Sequence, residues 1–74
     1  MKKVFKLQNL DCAHCAAVME TNIAKLNGVT ACTVNFIMHK LTVEIADGVD
    51  VNALLKDVKQ TVKKVEPDCE IVGL

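Results

Sequence analysis

Within five consecutive positions, Asp11-Cys12-Ala13-His14-Cys15, the chain crowds two thiols, a carboxylate and an imidazole. Two cysteines separated by two residues can turn both sulfurs toward one ion, and a carboxylate directly before the first supplies an oxygen. A divalent ion needs deprotonated sulfur, and backbone N–H groups at a helix start favour the thiolate. That reasoning gives the larger benefit to Cys15, on the first helical turn, and leaves Cys12 in a flexible loop from which it swings onto the same ion. Two thiolates and the Asp11 carboxylate form a mixed sulfur and oxygen set. Such a set suits Zn²⁺, Cd²⁺ and Pb²⁺ better than Cu⁺, which favours purely soft ligands. The expected metal ligands are therefore Cys12, Cys15 and Asp11. Three protein ligands leave the site open, and an open site can pass its ion on.

Each neighbouring group also has a plainer reading. Asp11 is a favoured helix-start residue and would serve as a cap. His14, between two converging cysteines, is expected to point to solvent. Cys32 falls on the inward face of a strand, where a free cysteine behaves as a small apolar residue, and Cys69 alternates with Ile71 in a way that favours burial. Met19 is expected in the core and Met38 at a turn or edge. His39 is placed near a hairpin at the other end, on the surface. Glu66 and Asp68 read as solvated loop charges that would lend negative potential to a cation held nearby.

The elements that position these groups can be read from periodicity. From Lys2 to Gln8 lysines and glutamine alternate with apolar residues, giving a first strand with Phe5 and Leu7 on one face. Asn9-Leu10-Asp11 breaks that pattern, and a helix follows from about Ala13 to Leu26 with Ala16, Met19, Ile23 and Leu26 as its apolar stripe. Asn27-Gly28 ends it. Val29 to Phe36 reads as the second strand, and Leu41, Val43 and Ile45 give the third its inward face. Asp47-Gly48 marks a turn, and Asp50 or Asn52 caps a second helix running to Val65, stopped by Pro67. A short last strand holds Cys69 and Ile71. The order β-α-β-β-α-β in so short a chain predicts an α+β ferredoxin-like sandwich, a four-stranded antiparallel sheet with two helices on one face. In that topology Asp11 to Cys15 sits near Glu66-Pro67-Asp68.

Residues 1–74 read as one small domain with an aliphatic core, since Trp and Tyr are absent and only Phe5 and Phe36 are aromatic. Nine basic and nine acidic side chains cancel, which removes the electrostatic case for nucleic acid or an anionic membrane surface. No apolar run approaches the roughly 18 residues of a membrane span, and polar residues interrupt any signal sequence behind Lys2-Lys3. A cytoplasmic location follows as the expectation. Four cysteines without a secretion signal point to metal or redox use rather than disulfides.

Taken together, Leu10-Asp11-Cys12-Ala13-His14-Cys15, the helix stripe, Gly28-Val29 and Val34-Asn35 resemble the heavy-metal-associated domain of metallochaperones and of the N-termini of heavy-metal-transporting P-type ATPases. The resemblance covers essentially the whole chain. It implies metal binding by Cys12 and Cys15 and transfer of the ion between proteins by stepwise ligand exchange. It also implies a non-catalytic role, with the transmembrane or actuator parts of an ATPase, or another metal-binding domain, as partner. The family's usual Gly-Met loop opening is replaced here by Asn9 and Leu10, with Leu10 expected to plug the core. Asp11 before the first cysteine is similar to zinc, cadmium and lead exporters. The leading expectation is a Zn²⁺/Cd²⁺/Pb²⁺-binding domain that delivers to, or regulates, such an exporter. A free-standing zinc or copper metallochaperone, a thiol-disulfide redox protein and an ion-free interaction domain are the alternatives.

Overall fold

The computed structural model describes residues 1–73. Its element order is β1 (Lys2–Gln8), α1 (Ala13–Ala24), β2 (Val29–Asn35), β3 (Lys40–Ile45), α2 (Val51–Val65) and β4 (Glu70–Val72). The four strands form one antiparallel sheet in the order β2-β3-β1-β4. This is the expected ferredoxin-like arrangement. The pairing Phe5↔Leu41, Cys32↔Val43, Val34↔Leu41 and Leu7↔Ile71 puts the core-facing apolar residues on one face. The other face carries Lys2↔Glu44, Val4↔Thr42 and Lys6↔Lys40. Period-two alternation therefore decides which side of the sheet receives the helices.

Both helices lie on the apolar face, α1 against β2 and α2 against β4, and they touch each other. Leu7, Ala16, Met19, Ile23, Leu41, Val43, Ile45, Leu54, Val58, Val62 and Ile71 make an aliphatic core, with Cys69 and Leu10 closing it at one end. No side chain with a charged or polar head is fully buried among the described residues. Asp50 caps α2 by accepting the Ala53 N–H at 3.4 Å. Helix α1 ends two residues earlier than its stripe suggests. The N–H groups of Lys25 and Leu26 bond back only three residues, to Asn22 and Ile23, which tightens the last turn and leaves half-buried Leu26 in the connection. Gly28 follows at φ +99°, where a Cβ would lie 2.9 Å from a Val49 methyl. Phe36 likewise falls past the end of β2, and Cys69 just before β4. Cys32 is half-buried and packs on the core rather than sitting fully inside it.

Three connections meet at one end of the sheet: the β1–α1 loop, the β2–β3 hairpin and the α2–β4 turn. The hairpin's position corrects the sequence reading of His39. The Leu7 N–H donates to the His39 carbonyl at 2.7 Å, so this turn lies beside the exit of β1, not at the opposite end. The reason is register: Lys6 pairs with Lys40, and a four-residue turn then has only that end to occupy. No helix is long and apolar enough to cross a membrane among the described residues.

Candidate metal centre

Leu10 fixes the loop that carries the cysteines. It follows Asn9, whose φ of +62° reverses the chain as β1 ends, and its side chain is 1% exposed. Asn tolerates that left-handed backbone better than most residues. Burying Leu10 anchors the loop from below and turns Asp11 outward, where it is exposed. The sequence expectation of a core plug at Leu10 is met.

The helix cap is Cys12, not Asp11. Cys12 has extended backbone angles, φ −128° and ψ 117°, and its Sγ accepts the Cys15 N–H at 3.1 Å. Its carbonyl accepts the Ala16 N–H at 3.0 Å, the first helical bond. A sulfur in the place normally held by a serine or aspartate oxygen is thus held still by the helix start. This corrects two expectations. Cys12 is not a free-swinging loop residue, and it, rather than Cys15, receives the benefit of the helix N-terminus. A side-chain hydrogen bond from the Cys15 thiol and the backbone N–H of Cys15 hold the Cys12 thiol below its usual pKa. The same sulfur contact, followed by desolvation and the negative charge of Cys12, pushes Cys15 up to about 11. When the pair gives up its first proton, the charge is therefore favoured on Cys12 and the remaining proton on Cys15. Both side chains are half-buried.

The expected neighbourhood of the α2–β4 turn is present. Asn9 donates from Nδ2 to the Asp68 carbonyl at 3.2 Å, joining the two connections directly. Glu66, the C-cap of α2, has one carboxylate oxygen, Oε2, enclosed without a hydrogen-bond partner. Its negative charge works against ionisation of all three thiols, adding to the rise at Cys15 and Cys69 and only slightly offsetting the lowering at Cys12. Cys69 is 0% exposed, and burial, then Glu66, raises its thiol, with Asp11 contributing further. Burial at Cys69 is the sequence reading. His14 is exposed, as expected. Sequence reasoning places Glu66 near the cysteine loop as a solvated charge lending negative potential, but nothing in the linear order shows that one of its oxygens is enclosed.

A sulfur pair, one enclosed carboxylate oxygen without a partner and a second carboxylate in the loop are the donor types a borderline dication takes. The residues present fit such an ion. Among the described residues, however, no three His, Cys, Asp or Glu side chains are already gathered about one point. Two sulfurs are in place, and any third ligand has to move in. Open grooves run along Lys56, Lys59, Lys63 and Lys64 of α2, away from the cysteine pair.

Comparison with known proteins agrees with this geometry. The chain is 34% identical over 67 residues to a cadmium, zinc and cobalt-transporting ATPase of Bacillus subtilis, matching 90% of this chain and 9% of that protein. It is 37% identical over 46 residues to the copper chaperone CopZ of Staphylococcus epidermidis, covering 62% of this chain and 68% of the chaperone. It thus spans about a tenth of the transporter but over half of the chaperone. Among solved structures, a CopZ metallochaperone superposes with a TM-score of 0.75 at 18% identity, covering 97% of this chain and all of that one. The pattern of the family described as "Heavy-metal-associated domain" matches residues 4–67. With that match over most of its length, and with its two sulfurs at the start of α1, the chain belongs to the heavy-metal-associated domain family, a family of metal-binding domains.

Proposed function

We propose that this domain carries Zn²⁺, Cd²⁺ or Pb²⁺ on Cys12 and Cys15, with the Asp11 carboxylate as oxygen donor, and exchanges it with a metal-exporting P-type ATPase in the cytoplasm. The observation that carries the reading is the hydrogen-bonded Cys12–Cys15 pair at the end of the sheet where Asp11 and Glu66 supply negative charge. A dication displaces the thiol protons, and nearby carboxylates offset its remaining charge better than they would serve a monovalent ion. Glu66 lends negative potential to the held ion in this proposal, without being gathered with the sulfurs about one point. Protein ligands on one exposed corner leave room for a partner's ligand to enter before these depart.

A titration against a chromophoric chelator, under reducing conditions, tests the assignment. Cys12→Ser and Cys15→Ser each remove tight Zn²⁺ and Cd²⁺ binding, and Asp11→Ala weakens both ions while leaving Cu⁺ unchanged. If Asp11→Ala leaves zinc affinity and coordination as they were, the carboxylate is no ligand and the choice of dication loses its main support. The second reading is a copper chaperone, favoured by the likeness to CopZ and by the fact that only the two sulfurs are already together. Competition between Cu⁺ and Zn²⁺, followed by X-ray absorption at each metal edge, separates the two. A two-sulfur copper site insensitive to residues 11 and 66 would favour copper.

A further inference from the structure

We propose that Ile37 and Met38, at the tip of the β2–β3 hairpin, are the docking knob of this domain: they enter an apolar recess beside the metal ligands of the exporting ATPase. This inference deepens the proposed function and rests on it.

The tip exposes apolar surface that its own fold does not need. Ile37 is 86% exposed, more than any other large apolar side chain among the described residues, and neighbouring Met38 is 55% exposed. Other groups hold the turn. Asn35 Oδ1 accepts the Met38 N–H at 3.0 Å, and His39 takes the left-handed angle at φ +53°. The His39 carbonyl accepts the Leu7 N–H at 2.7 Å, and the Phe36 and His39 ring centroids lie 5.9 Å apart. Half-buried Phe36 packs on the core beneath them. Turns ordinarily favour Gly, Asn, Asp or Ser, so isoleucine and methionine at this apex add nothing to the turn and are presented to water on a braced support. Isoleucine is stiff at χ1 and loses little freedom on burial, while methionine adapts to the shape it meets.

The position of the tip says what covers it. The Val34 N–H donates to Glu20 Oε2 at 2.9 Å, tying the middle of α1 to the end of β2. Five residues back along α1 from that tie, Cys15 lies about 7.5 Å nearer the metal end. Two residues on along β2, Phe36 lies about 7 Å nearer it. The hairpin tip and the cysteine pair therefore stand at one level. The strand order β2-β3-β1-β4 puts the hairpin on one side of the cysteine loop and the α2–β4 turn, with exposed Asp68, on the other. The domain measures 34 × 17 × 17 Å, and β1 and α2, each more than about 20 Å long, must run along its long axis. The cysteine loop thus sits on an end 17 Å across. A partner of standard interface size covers about 800 Å², a patch about 28 Å across. A protein whose ligands reach Cys12 and Cys15 has to cover that whole end, hairpin tip included. Its matching surface is apolar opposite Ile37 and Met38, and basic opposite the exposed carboxylates of Asp11 and Asp68.

The test loads the domain with radioactive Cd²⁺ and mixes it with a tagged, metal-free Cd²⁺-exporting P-type ATPase from the same cell, purified in detergent. Rapid filtration measures transfer from wild type, Ile37→Asn, the double variant Ile37→Asn/Met38→Gln, and Val4→Thr; a small chelator is the second acceptor. Expected is that Ile37→Asn raises the ATPase concentration for half-maximal transfer about tenfold, and the double variant raises it further, as for a large apolar side chain buried at an interface. Val4, 56% exposed on the open face of the sheet, serves as control, and its variant transfers like wild type. Transfer to the chelator is the same from all four. Equal transfer to the ATPase by wild type and the double variant overturns the inference and leaves the proposed function standing. So does a loss that Val4→Thr shares, or one matched by transfer to the chelator, since neither reports docking at the tip. Self-association of the loaded domain that Ile37→Asn removes, with transfer unchanged, assigns the tip to a second copy and overturns the inference too. Wild type that loads the chelator but never the ATPase removes the proposed function and this inference together.

Discussion

Leu10→Ala should nearly unfold the metal-free domain, and bound ion should restore it. Leu10 is 1% exposed, packed at the end of the core beneath the loop that carries both cysteines. Truncation removes about three methylene equivalents at about 0.8 kcal/mol each. The cavity term raises the loss to about 3–5 kcal/mol, as for other fully buried leucines. A domain of this size has a net stability of about 3–5 kcal/mol in total, so little or nothing remains. At about 4–8 °C per kcal/mol, the thermal midpoint falls by at least about 12 °C. Leu10→Met, which conserves volume, costs less than about 1.5 kcal/mol. Urea unfolding followed by far-ultraviolet circular dichroism, under reducing conditions with chelator, measures all three proteins. Zinc at a hundred times its dissociation constant then returns about 2.7 kcal/mol to the variant, because only the folded form offers the site. A Leu10→Ala domain within about 1 kcal/mol of wild type without metal would refute the claim that this side chain anchors the loop.

The thiol pair should set the proton stoichiometry of loading. With Cys12 held low and Cys15 raised to about 11, ion binding releases two protons below the Cys12 pKa. It releases one between that value and about pH 11, so apparent affinity rises with pH throughout and more shallowly on the alkaline side. Proton release in lightly buffered titrations checks this, and release falling to zero by pH 9 would contradict it. Cys32 is pushed up to about 11, first by burial and then by Glu20. The folded form holds this proton more tightly than the unfolded one, so stability is complete below about pH 9 and is lost as pH rises toward 11. Partial exposure limits the loss to about 1 kcal/mol, and Cys32→Val should flatten that part of a urea-midpoint profile. Gly28→Ala combines φ +99° with a 2.9 Å approach to Val49, and should destabilise the domain by about 1–3 kcal/mol in the same assay.

Much of this was legible in the chain because period two and period 3.6 are local. Leu41-Val43-Ile45 and Ala16-Met19-Ile23 announce their buried faces, and the β-α-β-β-α-β order then brings Asp11–Cys15 to Glu66–Asp68. Burial of Cys69 follows from the same alternation, whereas burial of Leu10, where the pattern breaks, is expected only from the family resemblance. What failed turns on single-residue offsets or on separations that only the folded chain defines. Whether the residue before Ala13 or the one before that caps α1 is a shift of one position, yet it exchanges the roles of Cys12 and Asp11 and inverts which thiol is the more acidic. The end of the sheet to which His39 belongs depends on strand register. The Asn9–Asp68 bond joins segments 59 residues apart, and no periodicity encodes it or the enclosure of the Glu66 oxygen.

The sulfur that caps α1 has a consequence for turnover. It accepts the Cys15 amide with one lone pair and keeps others for a cation, so the first turn of the helix stays wound whether cargo is aboard or gone. Under the proposed function, arrival and departure of the ion would then require no melting and rewinding of this turn of backbone.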